Sequence, residues 1–381
     1  MQQQTLDRRS FLTLAGASVL SGCTMFRGNR ENYSVSILGD THFDADPREV
    51  YHAKWTPRHA NDARDRANEF ARNADMWRER LPKLIESAAA VRRPDTAFLL
   101  QMGDLIQGDC AEAALQLKML EDAEKACRKG FEDIPFLTVC GNHDIRSDGG
   151  AAAYDEFIKP RARRMAGGSI EGATFHFAYG PDAFILVDFM RPDVERINAA
   201  LDATEGARHT FFVCHSPVSP TDNWGAYWFL LGKPEDAEAR RALFVRLLKR
   251  RAIVLCGHIH RTLVMDWVRP EGRLTQFAAN SVWRPQEDKP TLFFDSPEQY
   301  GTWSRQHPPA MDEDHDGCLQ KRTPAQMAAL FGEYRPGLRR YRMLQAAGHY
   351  RLQVSEKSVM VAFYPCDARR PSDLITLRKN T

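Results

Sequence analysis

Five apolar, largely β-branched or aromatic runs, spread over more than two hundred residues, each lead into a short polar piece built from glycine, aspartate, asparagine and histidine. Val35 to Leu38 precedes Asp40-Thr41-His42, and Phe98 to Met102 precedes Gly103-Asp104. Pro135 to Val139 precedes Gly141-Asn142-His143-Asp144. Phe211 to Val213 precedes the lone His215, and Ile253 to Leu255 precedes Gly257-His258-Ile259-His260. Runs of this length and composition predict buried strands. The ends of such strands are where α/β folds place their chemistry.

Between these runs the periodicity changes. Asn73 to Val91 carries Met76, Trp77, Leu81, Leu84, Ile85 and Ala88 at helical spacing, and helices are also predicted over Ala111 to Lys129 and Glu235 to Arg251. Thr174 to Tyr179 and Ala183 to Asp188 alternate around Gly180-Pro181-Asp182 as a hairpin, and Leu274 to Ala279 reads as a strand. His349 to Tyr364 alternates again as a closing hairpin. Two stretches lack a clear period. Phe43 to Arg72, with Tyr51, His52, Trp55 and His59, is long for a loop and fits either a lid or substrate wall, or a plain surface helix. Residues 284–336, rich in proline, aromatic and charged side chains, read as a second insertion or cap. The expected organisation is a core over 33–283 with an insertion at 43–72, the 284–336 insertion, and closing strands over 337–370.

A pair of metal ions about 3.5 to 4 Å apart needs a shared negative ligand and otherwise hard or borderline nitrogen and oxygen donors. Asp104 is the candidate bridge. A lone histidine such as His215 at a strand end is by itself ordinary; its coincidence with four other motifs points to a ligand. Gly141 and Gly257 let the backbone bend sharply beside the donors.

The motifs in this order resemble those of the calcineurin-like metallophosphoesterase superfamily, whose pattern is D-x-H, G-D, G-N-H-[D/E], H and G-H-x-H. The resemblance covers roughly residues 33 to 280. It implies a four-layer α-β-β-α sandwich, two mixed sheets flanked by helices, with two metal ions above the strand ends. It also implies that Asp40, His42 and His260 complete one metal while Asn142, His215 and His258 complete the other. Iron, zinc or manganese fits such a donor set. A water between two such ions becomes the nucleophile for in-line attack on phosphorus, and His143, whose counterparts sit beside the metals, would protonate the leaving oxygen or stabilise its charge. Protein Ser/Thr phosphatases carry Asp and then Arg where this chain has Gln107 and Gly108, and purple acid phosphatases need a tyrosine where it has Gln107. The resemblance therefore lies nearer to bacterial phosphodiesterases and small-molecule phosphatases, with Arg146, Asn223 and Arg284 as candidate phosphate contacts.

The rest of the sequence bounds partners and location. A chain of 381 residues, 27% charged with a formal net charge of +2, has no long basic stripe, and Arg161 to Arg164 reads as a solvated face, so nucleic acid is not an expected partner. Cys140, Cys214 and Cys256 lie in apolar runs and read as buried free thiols, with a ligand role as the alternative. Arg8-Arg9-Ser10-Phe11-Leu12 and the apolar stretch to Leu20 read as a twin-arginine export signal, although Asp7 replaces the usual Ser or Thr. Leu20-Ser21-Gly22-Cys23 resembles a bacterial lipobox, which predicts a signal peptide over 1–23 and membrane attachment through a lipidated Cys23. Asp312, Asp314 and Asp316 open like a calcium loop, but Thr323 stands where the closing glutamate belongs, so an acidic solvated turn is expected and a calcium ion is the alternative. The expectation is an envelope-anchored dinuclear hydrolase of phosphodiester or phosphomonoester bonds acting on a small or lipid-like substrate. A metal-containing binding protein without catalysis and a nuclease of the same superfamily are the alternatives.

Overall fold

The computed structural model describes residues 31–44, 50–56, 60–168, 170–302 and 319–379. The five motif runs form β1 (Tyr33–Leu38), β2 (Thr96–Gln101), β3 (Phe136–Thr138), β6 (Thr210–Cys214) and β7 (Ile253–Cys256). The predicted hairpin is β4 (Phe175–Tyr179) and β5 (Asp182–Val187). Two sheets result. One has the order β14-β13-β12-β1-β2-β3, with β1, β2 and β3 parallel and β12 (Gly348–Val354), β13 (Ser358–Pro365) and β14 (Asp373–Lys379) antiparallel. The other has the order β10-β11-β8-β9-β7-β6-β5-β4, adding β8 (Thr262–Arg269), β9 (Gly272–Ala278), β10 (Thr291–Phe294) and β11 (Leu338–Gln345).

Period-two alternation explains the layering. Phe184, Leu186, Phe211, Val213, Ile253 and Leu255 turn into an apolar cluster shared with Ile37 and Phe98 of the first sheet. Their neighbours Ile185, Val187, Phe212 and Val254 turn the other way, against Leu201, Leu243 and Leu247. Those three belong to α5 (Val194–Ala203) and α6 (Ala237–Lys249), which cover the second sheet. The first sheet is covered by α1 (Ala60–Glu79), α2 (Leu81–Ala90), α3 (Ala113–Cys127) and α4 (Gly150–Ala166). The architecture is the four-layer sandwich expected from the motifs.

The structure departs from the sequence reading in three places. The helix expected from Asn73 begins earlier, at Ala60, and ends at Glu79; α2 restarts at Leu81 with Pro82 in its first turn, where a missing N–H does no harm. The first half of α1 falls within the 43–72 stretch and takes the helical one of its two expected readings, with Arg66 and Glu69 paired one turn apart along it. Residues 284–336 contribute β10 to the second sheet and α7 (Pro324–Tyr334), whose Leu330, Phe331 and Tyr334 are buried beside that sheet. Thr323 and Gln326 cap α7 reciprocally. Arg161, expected on a solvated face, is instead paired with Glu124 and lies 3.6 Å over the Phe157 ring.

One polar tie joins the two sheets directly beneath the first motif. The Tyr350 hydroxyl of β12 accepts from the Asn280 N–H at 3.0 Å, donates to the Asn280 carbonyl at 3.1 Å and meets Thr262 Oγ1 of β8 at 2.6 Å. The next residue, Ser281, accepts from the Gly39 N–H at 2.8 Å and donates to the Gly348 carbonyl at 2.7 Å. Asp40 therefore starts from a backbone fixed by both sheets. Tyr350→Phe would strand buried polar groups, each at a cost of about 1–3 kcal/mol. Urea unfolding should show a loss of about 2 kcal/mol with an unchanged slope. A loss under about 0.5 kcal/mol, the level of an inert surface change, would show that the tie does not hold the sheets.

Candidate metal centre

The polar pieces follow β1, β2, β3, β6 and β7 at their C-terminal ends, so one edge of the sandwich collects them all. The turns are tight. His42, Asp104, His258 and His260 have φ of 43°, 49°, 68° and 48°, in the left-handed region that residues with a Cβ avoid at a cost of about 1–3 kcal/mol each. Strain of this kind persists only where surrounding contacts enforce it. They do so here. The Thr41 and His42 N–H groups both donate to the Asp104 carbonyl, at 3.1 and 2.9 Å, and the Gly257 N–H donates to the His215 carbonyl at 2.8 Å. At Gly141 a Cβ would overlap Asp104 Oδ1, and at Gly257 it would overlap Asp40 Oδ1. Each glycine thus leaves room for a carboxylate arriving from another strand.

Two donor groups form, and Asp104 belongs to both. One comprises Asp40, His42, Asp104 and His260; the other comprises Asp104, His215 and His258; within each group the donor atoms lie inside 4.8 Å of one another. In the first, His42 Nε2 faces His260 Nε2 at 3.0 Å, and His260 Nε2 is 3.2 Å from Asp40 Oδ2. In the second, His258 Nδ1 faces His215 Nε2 at 3.0 Å, and His215 Nε2 is 3.2 Å from Asp104 Oδ2. Facing ring nitrogens at such distances are favourable only with a proton or a cation between them, which is the arrangement that two metal ions fit. Asn142 is buried on the turn that follows β3, beside His143, whose N–H donates to Asp104 Oδ1 at 2.9 Å. Asp40 accepts the His258 N–H, 3.0 Å from each of its oxygens.

The electrostatics favour cation binding. Burial drives His42 down to about 4 and His258 well below the usual histidine range, so both rings are neutral with a lone pair to offer. Burial also raises Asp40, against the pull of His215 and His42. His215 is the exception: burial lowers it, but Asp104 and Asp40 prevail and hold it up to about 9. Its Nδ1–H donates to the Met102 carbonyl at 2.7 Å, which leaves Nε2 for the site.

His143 lies at the rim, its ring 4.4 Å from that of His42. Nδ1 donates to the Gln107 carbonyl at 2.8 Å, and Nε2 accepts from Arg146 Nη2 at 2.7 Å. Burial first, and then Arg146, push His143 far below the usual range, consistent with a neutral ring accepting from a guanidinium. Arg146 is itself held by Asp109 at 3.2 Å and Glu69 at 3.7 Å. Glu69 overcomes its burial through Arg66, Arg146 and Arg72 and is held down to about 2. Gln107 donates to Glu69 at 3.0 Å and to Asp109 at 3.1 Å while accepting from Asn73 at 2.6 Å. Gln107 therefore fastens α1 to the site. Trp77 adds a hydrogen bond from Nε1 to the Thr41 carbonyl at 2.8 Å.

Of the sequence-predicted residues, Asp40, His42, Asp104, His215, His258 and His260 converge in the two donor groups. Arg284 is near enough to His42 to push that ring further down, and Asn223 lies half-buried in the loop after His215. Cys140, Cys214 and Cys256 are buried and free, and among the described residues no cysteine joins either group. Cys23, with the predicted signal peptide, and Asp312, Asp314 and Asp316 lie outside the described residues. No described helix is long and apolar enough to cross a membrane. Sequence reasoning placed Asp144 in the third motif but gave it no role; it accepts the N–H groups of Gly141 at 2.9 Å and Ile106 at 3.2 Å and is pushed up to about 8 by burial and by Asp104. Sequence reasoning missed Gln101, which bonds Gly39 and Gly103; a glutamine in an otherwise apolar strand was its signal.

The PhoD structure shares the fold at 9% identity, covering 92% of this chain and 72% of that chain with a TM-score of 0.50. A purple acid phosphatase from yellow lupin seeds aligns at 11% identity over 91% of this chain and 53% of that chain, with a TM-score of 0.49. A dimetal phosphatase from Danio rerio aligns at 10% identity over 91% and 99% of the two chains, with a TM-score of 0.43. No curated protein sequence matches the chain. The family model for calcineurin-like phosphoesterases matches residues 33–262, which contain all five motifs and both donor groups, and the chain belongs to that family.

Proposed function

We propose that this protein is a dinuclear metal-dependent hydrolase of phosphoric esters, with phosphodiesters favoured over phosphomonoesters and a small or lipid-like substrate. The observation that carries the reading is the sharing of Asp104 by two nitrogen-rich donor groups. Asp40, His42, Asp104 and His260 would hold one ion, and Asp104, Asn142, His215 and His258 the other, with iron, zinc or manganese suiting the donors. When bound, such a pair supplies a hydroxide nucleophile near neutral pH and neutralises the phosphate oxygens.

The protein's own groups supply orientation and charge at the rim. His143, neutral and fixed through Nδ1, presents Arg146 by its Nε2, so the charge that builds on a leaving oxygen meets a guanidinium rather than an imidazolium. Of the two roles expected for His143, this arrangement supports charge stabilisation over proton donation. Arg284, beside His42, is the candidate for the other side of the phosphate. The Arg8-Arg9 motif and Leu20-Ser21-Gly22-Cys23 support export and attachment to the bacterial envelope through Cys23.

Four outcomes test these assignments. Asp104→Asn should lower bound metal from two ions per chain to one or none, by elemental analysis, and abolish hydrolysis of bis(p-nitrophenyl) phosphate; two ions retained would refute the shared bridge. Because His215 is held up to about 9 by Asp104 and Asp40, metal must displace its proton, so apparent metal affinity should rise with pH up to about that value. An affinity flat from pH 6 to 9 would contradict this. His143→Ala should lower kcat about 100-fold or more, but the wild-type rate should level off at high pH. An alkaline falling limb that disappears in His143→Ala would mean that His143 gives up a proton after all. Finally, Cys23→Ser should release the exported protein from membranes into the soluble fraction, and continued sedimentation with membranes would end the anchoring proposal.

A further inference from the structure

The two sides of the centre differ in chemistry. Beyond His143 charged side chains predominate: a cavity of about 170 Å³ is bounded by Lys54, Arg66, Asp109, Arg146 and Asp148, with Trp55 and small side chains making up the rest of its wall. On the opposite side, over His258, the lining is aromatic. Trp228 lies 6.2 Å from the His258 ring, Trp224 packs against Trp228 at 4.4 Å and 62°, and Phe189 is 5.5 Å from His258. Phe189 is buried, but Trp224, Tyr227 and Trp228 are each only half-buried. Trp228 packs in part against the apolar core of the second sheet, yet Trp224, Tyr227 and Trp228 each keep some of their ring surface open beside the candidate metal centre.

The backbone that carries these rings is held rigidly. The Leu230 N–H donates to the Pro217 carbonyl at 2.8 Å, and the Val218 N–H donates to Gln276 of β9 at 2.9 Å. Tyr300 donates to the Pro220 carbonyl at 2.8 Å, the Gln320 N–H to the Tyr227 carbonyl at 3.0 Å, and Arg322 to the Ala226 carbonyl at 2.6 Å. The last three donors come from residues 284–336, so that region buttresses the loop that follows His215. The rings are therefore presented on a fixed frame, and ordering them costs little when a ligand arrives.

We propose that Trp224 and Trp228 form a shelf that stacks a planar aromatic ring carried by the substrate, beside the phosphoryl group at the His258 side of the centre. Two tilted indoles offer one ring face and one ring edge, which suits a third ring better than a flexible alkyl chain. The assignment rests on the phosphoesterase reading for the position of the phosphoryl group. The ring can be a simple aryl group or a nucleobase, and the two are separable.

The test is titration calorimetry of the metal-loaded protein with two pairs of ligands: phenylphosphonate against methylphosphonate, and adenosine 5′-monophosphate against ribose 5-phosphate. Stacking of this kind predicts that the ring-bearing member of at least one pair binds about 10-fold more tightly to the wild type. Trp228→Ala should reduce that ratio to about two or less and Trp228→Phe should retain most of it, with both variants keeping the wild-type circular dichroism at the titration temperature. The pair that discriminates identifies the source of the ring. No discrimination in either pair, or discrimination unchanged in Trp228→Ala, overturns the shelf. So does a Trp228→Ala protein that keeps its ligand ratios but loses binding to phosphatidylglycerol vesicles, which would make the indoles a lipid contact. Ring discrimination without hydrolysis of any ester would leave the shelf standing and defeat the phosphoesterase reading, and hydrolysis without discrimination would do the reverse.

Discussion

Everything at this site depends on burying two carboxylates that face histidines. Asp40 and Asp104 are almost wholly shielded from water, and an isolated ion so placed costs several kcal/mol. The fold meets that cost with short, directed contacts: the His258 N–H on Asp40, the His143 N–H on Asp104, and ring nitrogens close to both. These donors come from strand ends far apart in the sequence. The two sheets must consequently lie with their parallel strands ending at the same edge. Left-handed conformations at His42, Asp104, His258 and His260 follow from the same demand, since each turn has to bend back over a strand end to aim its side chain inward.

Around that centre two stretches of the chain divide the labour. Helix α1 reaches the His143 side through Trp77, Asn73, Glu69 and Arg66, and delivers a network of alternating charges that ends on Arg146. Arg146 and Asp109, with side chains 7% and 4% exposed, each shield the other's charge, so this pair anchors the network as a fixed frame rather than an adjustable contact. Residues 284–336 do the corresponding work at the His258 side, by way of Tyr300, Gln320 and Arg322. The supports of the two sides thus come from two different parts of the chain.

How much of this is legible in the sequence depends on range. Strands β1, β2, β3, β6 and β7 are legible because their apolar runs are continuous and each ends in a motif. The donors are legible because five motifs coincide at those ends, a signal that a lone residue such as His215 does not carry by itself. The first half of α1 is not, because Arg66, Glu69 and Arg72 look like solvent-facing charge until Arg146 and Gln107 are placed against them. Strands β8, β11 and β14 are equally hidden. Arg340, Arg342 and Arg378 interrupt the alternation of β11 and β14, and their partners Asp266, Asp373 and the Arg251 carbonyl lie far away or on another strand. The Tyr350 tie has the same character: a hydroxyl in a strand says nothing about Asn280 and Thr262. Composition records local pattern faithfully, and what it cannot record is which polar groups will meet across the two sheets.

The most direct measurement is anomalous X-ray diffraction from crystals of the metal-reconstituted protein, collected on both sides of the metal absorption edge. A shared Asp104 predicts two anomalous peaks about 3.5 to 4 Å apart, with Asp104 between them, Asp40, His42 and His260 around one, and Asn142, His215 and His258 around the other. A single peak, or peaks that do not share Asp104, would contradict it.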